Sequence, residues 1–303
     1  MKHKLLLPIL ASALLTTLPL EAHNGLELFL PGVPSPGAMT MDGNNDDWGW
    51  FDDSFYVTSD QQYDTQERSP TRDDYDTLYG LAWSAPPENM LYFFFRAQDD
   101  TLRLLEDDPK RWWADDALQL NIDADHSGGG FTGENIEEIN NAQRYHLRIQ
   151  PPPGEPVLWN GHLEYIDLPE IGWSSELYEG QPTGWSEVGW TVNPPDAENF
   201  STNVTWTIEL RTALWDIFDL SAETSTRHIN EAGQIMHLTV VSFDGDTESY
   251  NHEFALNETS PLSAVDANLM VDYFLLEAED APTAAEENSW GRIKGKRNDG
   301  HSL

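Results

Sequence analysis

The sequence predicts an all-β protein. The expected architecture is an antiparallel two-sheet β-sandwich, immunoglobulin-like or of the jelly-roll type, with one or two short helices. Three observations predict it. Short runs rich in aromatic and β-branched residues recur along the chain, with Gly, Pro, Asn and Asp between them. In the clearest runs apolar and polar residues alternate: Leu118, Leu120 and Ile122 face one way, and Gln119, Asn121 and Asp123 the other. Helical periodicity is nearly absent, so about ten strands must bury their apolar faces against one another.

The elements are expected in this order. Residues 1–22 read as a secretory signal peptide: Lys2 and Lys4 precede an apolar run from Leu5 to Leu18 that is short for a membrane span, and Ala22 offers a small residue for cleavage. Residues 23–38 are a Pro- and Gly-rich lead-in. Strands are expected at 55–58, 78–83, 90–97, 117–123, 143–150, 156–166, 204–210, 235–243, 249–256 and 269–277. Thr212 to Phe218 is expected to form one or two helical turns capped by Thr212, and Gly133 to Ala142 another short helix. The stretch 151–200 holds eight Pro, six Gly and four Trp, and reads as a structured excursion from the sandwich. Residues 39–294 are expected to form one domain, followed by a basic tail at 295–303.

Composition narrows the function classes. There are 53 Asp and Glu against 16 Lys and Arg, a formal net charge of -37, so a nucleic-acid partner is not expected. The absence of Cys removes disulfide scaffolds, thiolate zinc sites and a Cys nucleophile. An exported protein without Cys fits a bacterial setting, extracellular or periplasmic, and the mature chain carries no membrane span. A monomer is expected.

The sharpest local pattern runs from Asp123 to Glu134. Asp123, Asp125, Ser127 and Glu134 stand at positions 1, 3, 5 and 12, Gly128 stands at position 6, and Gly129 offers a carbonyl. That is the ligand spacing of a Ca2+ loop, and oxygen donors of this kind suit a hard cation. A second acidic cluster, Asp42-Gly-Asn-Asn-Asp-Asp-Trp48, reads either as a cation site or as a capped turn with Trp48 docking the segment on the core. Scattered histidines show no ligand spacing.

The 12 Trp residues divide by position. Trp206 and Trp83 belong to strands and are expected in the core. Trp112 and Trp113 are adjacent, so an extended backbone turns one of them outward. Trp173, Trp185 and Trp190 lie among Pro, Gly and Ser. Exposed indoles beside polar residues suit the flat face of a sugar ring, so Trp112, Trp113, Trp173, Trp185 and Trp190 are the candidate sugar-binding residues. No catalytic residues are assigned: Gly184-Trp-Ser186-Glu-Val188 lacks the closing Gly of a nucleophile elbow, and His252-Glu253 is not followed by a second His at the zinc spacing.

Several motifs in order carry a family resemblance. Met41-Asp-Gly43 with Asp46-Asp-Trp48 opens the set. Leu91 to Asp100 is an apolar strand ending in an acidic turn. Trp112 to Asp125 gives a pair of Asp, an apolar strand and D-x-D. Val204 to Leu210 and Ser289 to Lys294 follow. Together they resemble carbohydrate-binding modules of family 9 and the related DOMON sandwiches, over most of residues 39–294. The resemblance implies a β-sandwich that binds polysaccharide or oligosaccharide, with Ca2+ holding loops and an association with carbohydrate catabolism. The family clamps its sugar between two Trp rings, and no such pair is mapped here. Two alternatives stand beside a secreted, non-catalytic binding protein. One is a glycan-active enzyme hydrolysing O-glycosyl bonds. The other is a haem-binding redox sandwich.

Overall fold

A computed structural model describes residues 26–278, except 67–70, 107–108, 152, 165, 247–251 and 257–259. The leader at 1–22, the segment 289–294 and the tail at 295–303 lie outside the described residues. The strands are, in order, β1 (Glu27–Leu30), β2 (Val57–Thr58), β3 (Tyr63–Asp64), β4 (Tyr75–Trp83), β5 (Leu91–Thr101), β6 (Ala117–Asp123), β7 (Gln143–Leu147), β8 (Leu158–Asn160) and β9 (Leu177–Tyr178). They continue with β10 (Gln181–Pro182), β11 (Ser186–Asn193), β12 (Thr202–Thr212), β13 (Trp215–Ile217), β14 (Thr226–Arg227), β15 (Ile235–Asp244), β16 (His252–Ala255) and β17 (Val271–Leu275). The expected short helix at 133–142 is present as α1 (Ile136–Ile139), a single turn. Among the described residues no helix is long and apolar enough to cross a membrane.

Two sheets face each other. One runs β1-β17-β15-β6-β7-β8, with β16 pairing β15 and β3 pairing β16; the other runs β11-β12-β5-β4-β2. Neighbours are antiparallel except β1 and β17, which pair in parallel with Leu30 opposite Leu275. These two strands come from the two ends of the fold, so the long connection that a parallel pair requires is available. The core lies between the sheets. Leu118, Leu120 and Ile122 of β6 and Met236, Leu238 and Val240 of β15 meet Phe93 and Phe95 of β5 and Trp206 and Ile208 of β12. Burial of each such side chain contributes about 1.5–3 kcal/mol.

Both outer faces are covered as well. Tyr92, Phe94 and Ala82 on the outside of the five-stranded sheet lie under Met39, Met41, Trp48, Phe51 and Phe55. This explains why β5 is buried almost throughout and reads as a continuous apolar run rather than an alternating one. The lid is latched by one carboxylate. Glu209 of β12 accepts from the backbone N–H of Asp42 (3.1 Å) and Gly43 (3.2 Å) and from Trp48 Nε1 (2.8 Å). The Asp-Gly…Trp motif is thus a docked turn, as the second reading of that cluster holds.

Two expectations are corrected. Residues 212–218 are not helical: β12 runs to Thr212, and Trp215–Ile217 pairs with Thr226–Arg227 as a small ribbon. Trp215 and Phe218 are spent on an aromatic cluster, which outweighs the weak capping signal at Thr212. The excursion 151–200 also contains a full edge strand, β11, whose Trp190 stands opposite Ile208. Val188, Trp190 and Val192 alternate along it and pack on the core.

Candidate functional site

A cleft of about 280 Å3 opens on the outer face of the eight-stranded sheet. It is lined by Trp112, Trp113, Gln119, Arg144, Glu164 and Glu253, with Leu262 and Val265 at the rim. The alternation of β6 and β7 places Gln119 and Arg144 there, because Leu118, Leu120, Tyr145 and Leu147 turn to the core. Alternation alone turns Gln119 away from the Leu118–Ile122 face, as on a half-buried strand. Instead, every residue of β6 is buried, since a 3-10 turn at Pro109–Ala114 crosses the face above it. Arg144 is oriented by its neighbours: Nε and Nη2 donate to Gln119 Oε1 at 3.2 and 2.9 Å, and Nη2 meets Glu164 Oε2 at 3.1 Å.

The two adjacent Trp take different roles. Trp112 is 1% exposed. Its ring stacks on His146 at 3.6 Å and meets Phe243 edge-on at 4.9 Å. It is wall, not an exposed platform as expected. Trp113 is the half-buried member, with the Arg111 guanidinium 5.8 Å from its ring centre. The Asp115-Asp116 pair fixes the turn that carries them. Asp115 accepts from the N–H of Leu105 (2.8 Å) and of Glu106 (3.0 Å) and from Arg148 Nη1 (3.1 Å). Asp116 accepts from the N–H of Arg103 (2.6 Å) and Gly245 (2.7 Å). One carboxylate therefore holds the approach to the turn and the other holds the end of β15.

Burial sets the charges around the cleft. It pushes the Glu253 carboxyl up, against the pull of hydrogen bonds from Thr65 and Gln66. His146 is driven well below the usual imidazole range by burial and by the Arg144 and His162 charges, so it stays neutral beneath Trp112. A second, more apolar hollow of about 360 Å3 lies on the other side of Trp112, lined by Trp159, Pro151, Pro156, Arg148, Glu155 and Leu163.

The other candidate residues lie elsewhere. Trp173, 8% exposed, and the half-buried Trp185 pack with Trp215 and Phe218 in a separate aromatic cluster; Trp173 meets Trp215 edge-on at 4.9 Å. In the loop after β6, the oxygens of Asp123 are already engaged. Oδ2 accepts from Gly128 N–H (2.8 Å) and faces His237 Nδ1 (2.8 Å), while Oδ1 accepts from Ser127 N–H (3.2 Å). Asp125 accepts from Ser127 N–H at 3.1 Å. Gly129 spends its carbonyl on Ala267 N–H at 2.8 Å. Among the described residues, the groups of acids and histidines whose donor atoms lie within 4.8 Å of one another do not include the Asp123, Asp125 and Glu134 carboxylates together. One such group is wholly buried: Asp99 of β5, Asp116, and Asp244 of β15. Among the described residues, Asp99 Oδ2 and Asp244 Oδ2 meet no hydrogen-bond donor. Burial, together with the neighbouring carboxylates, raises all three carboxyls above the usual range.

Comparison with known proteins places the fold. No protein-family model matches the sequence, and no curated protein does. Among solved structures, a family 9 carbohydrate-binding module from Caldicellulosiruptor kristjanssonii in complex with cellotriose superposes with a TM-score of 0.52 at 11% identity, covering 83% of this chain and 94% of the module. A module of the same family and organism in complex with glucose gives a TM-score of 0.49 at 11% identity, over 83% and 96% of the two chains. The first of these likenesses is one of fold, and it fixes the architecture: this chain is a β-sandwich with the fold of a family 9 carbohydrate-binding module.

Proposed function

We propose that this chain is an exported, non-catalytic carbohydrate-binding protein, and that the sugar sits in the 280 Å3 cleft against Trp113. The observation that carries the reading is the convergence of one half-buried indole with an ordered Gln119–Arg144–Glu164 network and Glu253 in a single concavity. An aromatic face takes the apolar C–H side of a pyranose, and fixed donors and acceptors take its hydroxyls. The module bound to cellotriose, whose fold this chain shares, supports the same ligand class. The volume suits a mono- or disaccharide unit rather than a long buried chain. Leu262 and Val265 at the rim, 56% and 39% exposed, extend the apolar surface past Trp113.

Calorimetric titration with glucose, cellotriose and a glycan panel tests the reading. Trp113→Ala is expected to lower affinity at least tenfold with the fold intact. Unchanged affinity would move the platform elsewhere. Reducing-sugar release from mixed polysaccharides would favour the enzyme reading, and a Soret band in the purified protein the haem reading.

Ca2+ enters the proposal as a structural ion. The Asp123 loop is a poor cage, because Asp123 and the Gly129 carbonyl are spent within the protein. The Asp99, Asp116 and Asp244 carboxylates fit a hard cation better: three oxygen donors converge, and two oxygens meet no hydrogen-bond donor among the described residues.

A further inference from the structure

His237 stands in the middle of the eight-stranded sheet, directly opposite Asp123 on one neighbouring strand and Asp272 on the other. Its Nδ1 lies 2.8 Å from Asp123 Oδ2, and its Nε2 lies 3.1 Å from Asp272 Oδ1. The tight turn after β6 brings a second imidazole to the same oxygen. His126, in the left-handed region at φ 59°, lies tilted by 40° against His237 with ring centres 3.9 Å apart and places its Nε2 3.3 Å from Asp272 Oδ1.

We infer that His126, His237 and Asp272 form a binding site for a divalent transition-metal ion, of which Zn2+ is the natural probe. Three points carry this. First, the donor spacing fits: tetrahedral zinc with bonds of about 2.0–2.1 Å separates its ligand atoms by about 3.4 Å, close to the 3.1 and 3.3 Å seen here. Second, the outer shell is already built. Asp123 Oδ2 faces His237 Nδ1 at 2.8 Å, the outer-shell position from which a carboxylate holds a metal-bound imidazole, and it turns Nε2 toward Asp272 and His126. Asp123 is itself held by the Gly128 and Ser127 N–H groups, so the acidic loop serves to orient the histidine rather than to bind Ca2+. Third, the site is reachable. His237 and Asp123 are fully buried, but the His126 side chain is 23% exposed and Asp272 10%, so the group reaches the surface through His126. Two imidazoles and one carboxylate suit Zn2+, Cu2+ or Ni2+ and not Ca2+. The ion would tie the turn at 124–128 to β15 and β17. This inference does not rest on sugar binding.

The test is calorimetric titration of chelator-treated protein with ZnCl2 and with CaCl2, together with the absorption spectrum of the Co2+-loaded protein. Expected are one tight Zn2+ per chain, the intense visible bands of tetrahedral Co2+, and no displacement by Ca2+. His126→Asn keeps a residue that tolerates positive φ, so it preserves the fold; it is expected to weaken Zn2+ at least tenfold and to abolish the Co2+ bands. Asp123→Asn is expected to weaken Zn2+ by about 10–100-fold through its outer-shell role. Zn2+ binding of equal strength in wild type and His126→Asn, or a weak octahedral Co2+ spectrum in the wild type, overturns the inference and leaves a hydrogen-bonded His–Asp–His cluster.

Discussion

Glu209 shows how much structure one side chain can hold. Its carboxylate anchors the 42–48 turn through three hydrogen bonds, yet it is fully buried beside Asp47. Burial, helped by Asp47, pushes its pKa up to about 7 from the usual 4.5. A carboxyl raised in the folded state binds a proton more tightly there than in the unfolded chain. Its favourable contribution is therefore fully present below pH 4.5 and is lost as pH rises through 7. Urea midpoints measured from pH 4.5 to 8 should fall over that window in the wild type. The part due to this residue should vanish in Glu209→Gln. Truncation in Glu209→Ala should cost about 1–3 kcal/mol by leaving two backbone donors and an indole N–H unpaired.

At the scale of elements, the edge strand β11 and the lid turn fit backbone to backbone. A Cβ on Gly189 would stand 2.4 Å from Met41 O and 2.5 Å from Gly43 N, and one on Gly43 would stand 2.5 Å from the Trp190 carbonyl carbon. Gly43 also has φ of +86°, which disfavours any side chain. Gly189→Ala should lift the lid and destabilise by about 1–3 kcal/mol, visible as a lower denaturation midpoint. The aromatic cluster of Trp173, Trp185, Trp215 and Phe218 performs the corresponding task at 161–186, knitting the excursion to the 213–218 segment. Trp215→Ala should cost about 3–5 kcal/mol, with sugar affinity retained if Trp113 is the platform.

Over the whole molecule, electrostatics opposes the fold. A net charge of -37 repels itself, and Asp99, Asp116 and Asp244 are packed together without a counter-charge among the three. Their folded carboxyls are raised by burial, so their contribution is greatest at acid pH and declines as pH climbs above the ordinary carboxylate range. The melting temperature should fall from pH 5 toward pH 9 in chelator and rise on adding Ca2+. The Ca2+ gain, about 2.7 kcal/mol at a hundredfold excess over Kd, should be larger at the alkaline end. Asp244→Asn should flatten the pH profile and remove the Ca2+-specific part, while the general gain from NaCl persists through screening.

The sequence by itself determined the all-β class, because alternation in β6 and β12 is local and a period of two survives any tertiary context. It also marked the turns and Trp113, since glycines, acids and adjacent indoles announce themselves in the chain. Only the tertiary structure decided what covers each face. β6 reads as a half-buried strand until the 109–114 turn roofs Gln119, and residues 212–218 read as helix until the aromatic cluster claims Trp215. Likewise His126 and His237 stand 111 positions apart and show no spacing, yet cross-strand register sets them on one carboxylate. Periodicity states which side chains share a face; register and crossing segments, fixed by contacts distant in sequence, state what that face meets.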